Sequence, residues 1–205
     1  MLNSVPYEVI AAPYTLYVAP VGTAFPDVDT DPGVLWTKVG TSGPLNYDDA
    51  AGVTVEHRQT VVSWRSAGDT GTRKRFRTEE DLAVRLKLVD VTLEQYAHAL
   101  NYNTVTDVPA GVGTPGYRKI GLSRGTQIVT KALLVRADIS PYGEDLKSQY
   151  EIPLAQQSGS PTVSLSKKGE PEGLDLEWMA LVDTTAANEA ERFGRLVAQD
   201  ADADT

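Results

Sequence analysis

The stretch "DLAVRLKLVDVTLEQYAHALN" (Asp81 to Asn101) decides the fold class, because its hydrophobic period changes halfway along. The first half alternates as a half-buried strand does. Its apolar positions are Leu82, Val84, Leu86 and Leu88. From Thr92 the spacing becomes that of an amphipathic helix, with Leu93, Tyr96, Ala97 and Leu100 on one stripe. Thr92 with Gln95 predicts a capping box and Asn101 a helix stop. We therefore expect a strand followed directly by a short helix that covers one face or end of a sheet.

Most of the remaining chain is also predicted to form β-strands. Runs of β-branched and aromatic residues are separated by loops rich in Gly, Pro and Asp, at 15–20, 34–40, 52–67, 126–139 and 174–182. Residues 41–81 predict a long hairpin arm with the turn "GDTG" at Gly68–Gly71. The helical spacing of Ala190, Phe193 and Val197 predicts a C-terminal helix with an acidic tail over residues 185–205.

Composition limits the domain count and the function classes. A chain of 205 residues can bury one good core, so we expect a single domain over residues 1–205. The chain has no cysteine, which excludes disulfides and thiolate chemistry. The N-terminal stretch has no basic region followed by a long apolar run, and no stretch predicts a membrane span, so we expect neither a leader nor membrane contact. A net charge of −9 disfavours a general nucleic-acid binder.

Two motifs suggest an enzyme, but each lies in the wrong context. "GVGTPG" (Gly111–Gly116) matches the dinucleotide-binding pattern, yet it follows a polar loop and precedes a predicted strand. "GLSRG" (Gly121–Gly125) matches a nucleophile elbow, yet no histidine follows Ser123 and no helix is predicted after it. We interpret the first as a Gly-rich loop and Ser123 as a turn residue. The chain is predicted not to be an enzyme.

The other polar residues predict no cofactor and no metal site. His57 and His98 lack metal-ligand spacing and are interpreted as a strand-face and a solvated helix-face histidine. The acidic clusters, Asp27 to Asp31 and Glu79 to Asp81, lack an EF-hand pattern and are interpreted as solvated faces. A basic run with one aromatic residue, Arg73, Lys74, Arg75, Phe76 and Arg77, precedes the second of these clusters. That order favours charge pairing between subunits over nucleic-acid binding.

The order of segments resembles the major tail tube protein of long-tailed (siphovirus-type) bacteriophages. The phrases that carry the resemblance are "YTLYVAPVGTAFPD", "WTKVGTSGPLNYDDAAGVTVE" and "RTEEDLAVRLKLVDVTLEQYAHALN", followed by "SPYG", "YEIPLAQ" and "EWMALVD". They cover roughly residues 10 to 185. The family contributes no catalytic residues.

The resemblance implies a β-sandwich or partly closed β-barrel with a flanking helix. It also implies homo-hexameric rings that stack into a tube in the virion tail, assembled in the host cytoplasm. The expected partners are a tape measure protein in the lumen, tail terminator and tail tip proteins, and double-stranded DNA that passes without specific binding. On independent grounds, a strand-rich chain needs its sheet edges covered, and a long arm typically serves a partner.

The arm carries the predicted contact between rings. Phe76 is expected to be a buried anchor there, with Arg73, Lys74, Arg75 and Arg77 pairing with carboxylates of an adjacent ring. A solvated hairpin is the simpler alternative. A tail terminator or head-to-tail connector is the alternative function, and a monomeric β-sandwich binding module is a third.

Overall fold

Ten strands and one α-helix form the regular structure of residues 13–142, 146–163 and 173–201, which are the residues that the computed structural model describes. The strands are β1 (Tyr14–Pro20), β2 (Thr37–Lys38), β3 (Val53–Trp64), β4 (Lys74–Leu88), β5 (Thr106–Val108), β6 (Tyr117–Lys119), β7 (Thr130–Ala137), β8 (Ser148–Gln157), β9 (Leu174–Ala180) and β10 (Arg195–Ala198). The helix α1 spans Leu93–Ala99, and short 3₁₀ turns lie at Gly43–Asn46 and Glu189–Glu191. The chain is 42% strand and 8% helical, which confirms the predicted mainly β class.

Eight of these strands form one antiparallel sheet. Its order is β2-β1-β7-β8-β9-β4-β3, and β10 pairs with the first half of β8. β1 and β4 are separated by three strands in this order, yet Leu16 on β1 and Val84 on β4 belong to the same core cluster. The sheet therefore curls around its core, as in a sandwich or partly closed barrel. β5 and β6 form a separate two-stranded ribbon.

The core face predicted from Leu82 to Leu88 is confirmed, and β9 has an alternating buried face as well. Alternate residues of β4 and β9 are buried: Leu82, Val84, Leu86, Leu88, Leu174, Leu176, Trp178 and Ala180. Trp178 is completely buried, and its indole Nε1 donates a hydrogen bond to the hydroxyl of Tyr102 at 3.1 Å. An apolar ring of this size stabilises the fold through its buried area, while the hydrogen bond satisfies its one polar atom.

The short helix after β4 is also confirmed, with one difference at its start. The Thr92 hydroxyl accepts a hydrogen bond from the Gln95 amide at 3.4 Å, but the Gln95 side chain does not return to Thr92. Its Oε1 accepts a hydrogen bond from the backbone amide of Gly40 at 2.8 Å instead. The helix is thus tied to the loop after β2, so only half of the predicted capping box forms.

The predicted C-terminal helix is wrong. In its place, residues 189–191 form a single 3₁₀ turn and β10 pairs with β8, Arg195 opposite Glu151. Gly194 between them has a φ of 124°, which interrupts any helix at this point. The unpaired edge of β8 offers hydrogen bonds that a surface helix cannot make, so tertiary pairing overrides the local period. The last four residues of the predicted acidic tail lie outside the described residues.

Candidate functional site: the tip of the hairpin arm

The arm is a β-hairpin that projects from the sheet. β3 and β4 pair from Val53 opposite Leu86 to Trp64 opposite Lys74. β4 also pairs with β9, but only from Leu88 to Ala83. In the described residues, the rest of β4 has β3 as its single strand neighbour. Every residue of β4 from Lys74 to Asp81 is exposed, so nothing in the described part of the chain covers either face of the outer hairpin.

A one-residue bulge decides which side chains share a face. Thr60 pairs with Glu79 and Val61 with Arg77, so Thr78 is an extra residue on β4. Because side chains alternate along a strand, this insertion moves the outer residues of β4 to the opposite faces. Phe76 would otherwise lie on the same side as the buried Leu82. It lies instead on the outer side, opposite Val62.

The first exposed face, called the apolar face here, consists of Val62, Trp64, Lys74 and Phe76. The register puts Val62 opposite Phe76 and Trp64 opposite Lys74. Val62 and Trp64 are each 53% exposed, and Phe76 is 47% exposed. The ammonium of Lys74 lies 5.1 Å from the centre of the Phe76 ring. Large apolar residues grouped at the end of a projection are typical of a protein contact.

The second exposed face, called the basic face here, carries Arg75 and Arg77, and Arg73 continues their alternation. Arg77 donates from Nε to the Gln59 side chain at 3.0 Å and lies 3.3 Å from a Glu80 carboxylate oxygen. Arg73 lies 3.5 Å from an Asp69 carboxylate oxygen. Arg75 has no carboxylate within pairing distance in the described part of the chain. Exposed pairs of this kind contribute little, so the arginines remain able to engage another surface.

Ion pairs fix the base of the arm to the sheet. Arg58 lies 2.9 Å from Glu56 and 3.1 Å from Glu177, and Arg85 lies 3.1 Å from Glu56 and 3.0 Å from Glu177. The hydrogen bond from Arg58 and the charges of both arginines lower the pKa of the Glu56 carboxyl. These four side chains link β3, β4 and β9 where the hairpin leaves the sheet. The base of the hairpin is therefore held against the sheet, whereas its tip projects beyond the sheet.

The five predicted contact residues thus divide between two faces. Lys74 and Phe76 lie together on one, whereas Arg73, Arg75 and Arg77 lie on the other. Val62 and Trp64 were not among the predicted contact residues, although their spacing in "VVSW" indicates a shared face. The role of these residues in a contact between rings stays a prediction.

The motifs that suggested an enzyme lie in an exposed loop region. Gly111 and Thr114 exchange two backbone hydrogen bonds, 3.0 and 3.1 Å long, in a tight turn between β5 and β6. That is the expected Gly-rich loop. Ser123 accepts a hydrogen bond from the Gly125 amide at 3.4 Å, as a turn residue does. Among the described residues, no group of three or more His, Asp or Glu side chains could hold a metal ion.

The two histidines differ in their surroundings. His57 is exposed on the face of β3, as predicted. The prediction for His98 is wrong, since this residue is 5% exposed and its ring meets that of Tyr102 edge to face at 5.4 Å. Burial, together with the nearby Lys131 ammonium, lowers the pKa of His98 to about 4. Its Nδ1 is buried without a hydrogen-bond partner in the described residues. Lys131 lies on β7, more than thirty residues along the chain, so the helical spacing could not reveal this environment.

Comparison with known proteins identifies no family. No family model matches this chain, and no curated protein matches it. Within the described residues, no helix is long and apolar enough to cross a membrane.

Proposed function

We propose that this chain is a structural subunit that assembles with copies of itself, as the major tail tube protein of a long-tailed bacteriophage does. In this proposal six copies form a ring, rings stack into a tube, and double-stranded DNA passes through the lumen. The observation that supports it most directly is that the tip of the hairpin arm exposes an apolar face and a basic face. The proposal assigns the chain no catalytic activity and no cofactor.

Charge supports a copy of the same chain as the partner of this tip. Residues 62–77 contain five cationic residues and one acidic residue, a net charge of +4. Since the whole chain carries −9, the remainder carries −13. The remainder of the chain, outside residues 62–77, is called the acidic body here. The basic tip and the acidic body are complementary, so one copy attracts the arm of the next.

The contact between arm and body is heterologous, because it joins two different surfaces. Such contacts repeat from copy to copy and generate closed rings or open filaments. A subunit of a stacked tube needs contacts of this type. The sheet edge also favours assembly. In the described structure the outer edge of β3 is long and unpaired, and such an edge is commonly covered by another chain.

The acidic body also suits a DNA conduit. A wall that carries the same sign of charge as phosphate repels DNA and lets it slide without adhering. The proposal therefore expects carboxylates on the inner wall, with the cationic arm engaged between subunits. A map of the assembled tube with Lys and Arg dominating the inner wall would contradict this expectation.

Assembly of the purified chain tests the proposal. Negative-stain microscopy and sedimentation, from roughly 0.05 to 0.5 M salt, should show rings and tubes that weaken as salt screens the arm contact. A chain that stays monomeric at every concentration and salt would refute the proposal. Single rings that never stack would favour the alternative, a tail terminator or connector.

Two variants test whether assembly depends on the arm. Trp64→Ser combined with Phe76→Ser removes the apolar anchors, and Arg75→Glu reverses one charge on the basic face. Both alter exposed residues, so the cooperative thermal transition should remain while tubes are lost. Arg75→Lys keeps the charge and serves as the matched control. Normal tubes from the first two variants would show that stacking depends on another surface.

A further inference from the structure

The segment from Asn101 to Val129 is an exposed excursion that the proposed function does not use. It connects α1 to β7 and contains the short β5–β6 ribbon. Loops this long, with little regular structure, are typically either functional or disordered. The hydrogen bonds at the base of this one argue for an ordered, functional segment.

Two asparagine side chains hold that base together. The Asn101 side-chain amide donates to the carbonyls of Arg124 and Gln127 at 2.9 and 2.7 Å, and Val129 N donates to its Oδ1 at 2.7 Å. Asn103 donates to the carbonyls of Gly121 and Ser123, each at 2.7 Å. The segment is therefore shaped by polar contacts without a core of its own.

Arg124 connects the same base to the sheet. Its guanidinium donates to the side chain of the buried Gln157 at the end of β8 and to the carbonyl of Gly159 at 3.2 Å. The segment thus has a defined position relative to the sheet. A positioned segment presents its side chains to a partner at a small cost in conformational entropy.

Five of the side chains that it presents are large and apolar. Val112 at the apex of the turn is 108% exposed and Leu122 is 70% exposed. Tyr117, Ile128 and Val129 are exposed as well. Exposed apolar residues concentrated in one positioned segment mark an interaction surface.

We infer that the 101–129 segment is a second docking surface for a neighbouring copy of this chain, which contacts it through Val112 and Leu122. The inference rests on the proposed self-assembly and extends it.

A stable interface buries about 800 Å² on each partner. Aromatic side chains cover about 150 to 250 Å² each, so the apolar face of the arm, with Val62, Trp64 and Phe76 about half exposed, offers roughly 300 Å². The basic face adds area, but exposed charges contribute little affinity, so a second apolar patch would strengthen the contact, and the 101–129 segment provides one.

Charge favours a copy of this chain over an unrelated partner. Residues 101–129 carry three cationic residues and one acidic residue, a net charge of +2. With the arm at +4, the rest of the chain carries −15. Both projections thus complement the same acidic body.

A pair of matched double variants tests the inference in the full-length protein. Val112→Asp with Leu122→Asp places charges on the proposed surface. Val34→Asp with Leu35→Asp makes the same change at an exposed pair elsewhere, since Val34 is 101% and Leu35 is 60% exposed. We expect the first variant to raise the concentration needed for assembly at least about tenfold, and the control to leave it within about twofold. High salt should relieve the part of this defect that comes from the two new carboxylates facing an acidic neighbour, and should leave the part that comes from the lost apolar contact.

Single cysteines supply a measurement that does not depend on a disruptive substitution. The chain has no cysteine, so Val112→Cys and Val34→Cys each introduce one labelling site. In assembled protein, maleimide should label position 34 readily and position 112 at least about tenfold more slowly. Tubes from the Val112→Asp, Leu122→Asp protein at the wild-type concentration, or equal labelling at both positions, would overturn the inference and leave the proposed function standing. A wild-type chain that never assembles would overturn both.

Discussion

Acid should destabilise this protein through His98, one of its two histidines. The ring is buried against Tyr102, and Lys131 adds a like charge nearby. Both conditions oppose a second proton on the ring. The pKa of His98 is about 4 in the folded chain, against 6.5 for an unperturbed histidine.

The direction of the effect follows from proton binding. Between pH 6.5 and 4 the unfolded chain binds a proton at His98 that the folded chain does not bind, so stability falls as the pH falls. One pKa unit corresponds to about 1.4 kcal/mol, which makes the full loss about 3 kcal/mol. Between about pH 7.5 and about pH 5, the loss amounts to about 2 kcal/mol.

Urea unfolding at a series of pH values measures this loss. Carboxylates also titrate in acid, so the quantity of interest is the difference between the wild type and His98→Leu, which has no titrating ring and no orphaned Nδ1. The variant should lose about 2 kcal/mol less than the wild type over this range. His57→Leu, which removes the exposed histidine, is the matched control and should follow the wild type. Parallel curves for wild type and His98→Leu would refute the reasoning, as would an NMR titration that puts the His98 pKa near 6.5.

Three further substitutions test the fold. Trp178→Ala removes the largest fully buried side chain of the described core and should cost about 3 to 5 kcal/mol in urea unfolding followed by circular dichroism, so a loss below about 1 kcal/mol would contradict the assigned burial. Gly194→Ala forces a methyl group onto the Glu151 carbonyl oxygen at a φ of 124° and should cost roughly 1 to 3 kcal/mol. Amide hydrogen exchange in β10 should then accelerate, and unchanged protection there would argue against this pairing. Asn101→Ala removes three hydrogen bonds worth about 1 kcal/mol each, so proteases should cleave the 101–129 segment faster, and equal cleavage rates would show that the base is held by other contacts.

Features that depend on local periodicity could be predicted from the sequence. They include the alternation from Leu82 to Leu88 and the helix after Thr92, because a strand or helix repeats its exposure at a set interval. A hairpin was predicted as well, but with different bounds. The predicted arm covered 41–81, whereas the two paired strands span Val53–Trp64 and Lys74–Leu88. The tip hydrogen bond joins Asp69 N to Ser66 O, so the turn begins before the predicted Gly68–Gly71. The basic run at the tip is exposed, and its division between two faces could not be predicted.

Tertiary structure alone decided the features that depend on distant partners. A single extra residue, Thr78, sets the faces of the outer hairpin, since one step in register reverses every side chain beyond it. His98 is buried with its ring against Tyr102, and the charge of Lys131 reaches it from β7. Residues 195–198 form a strand because the first half of β8 has an edge to pair, although their local spacing suits a helix. In each case the outcome depends on contacts or register between elements, which the hydrophobic period of a single element does not encode.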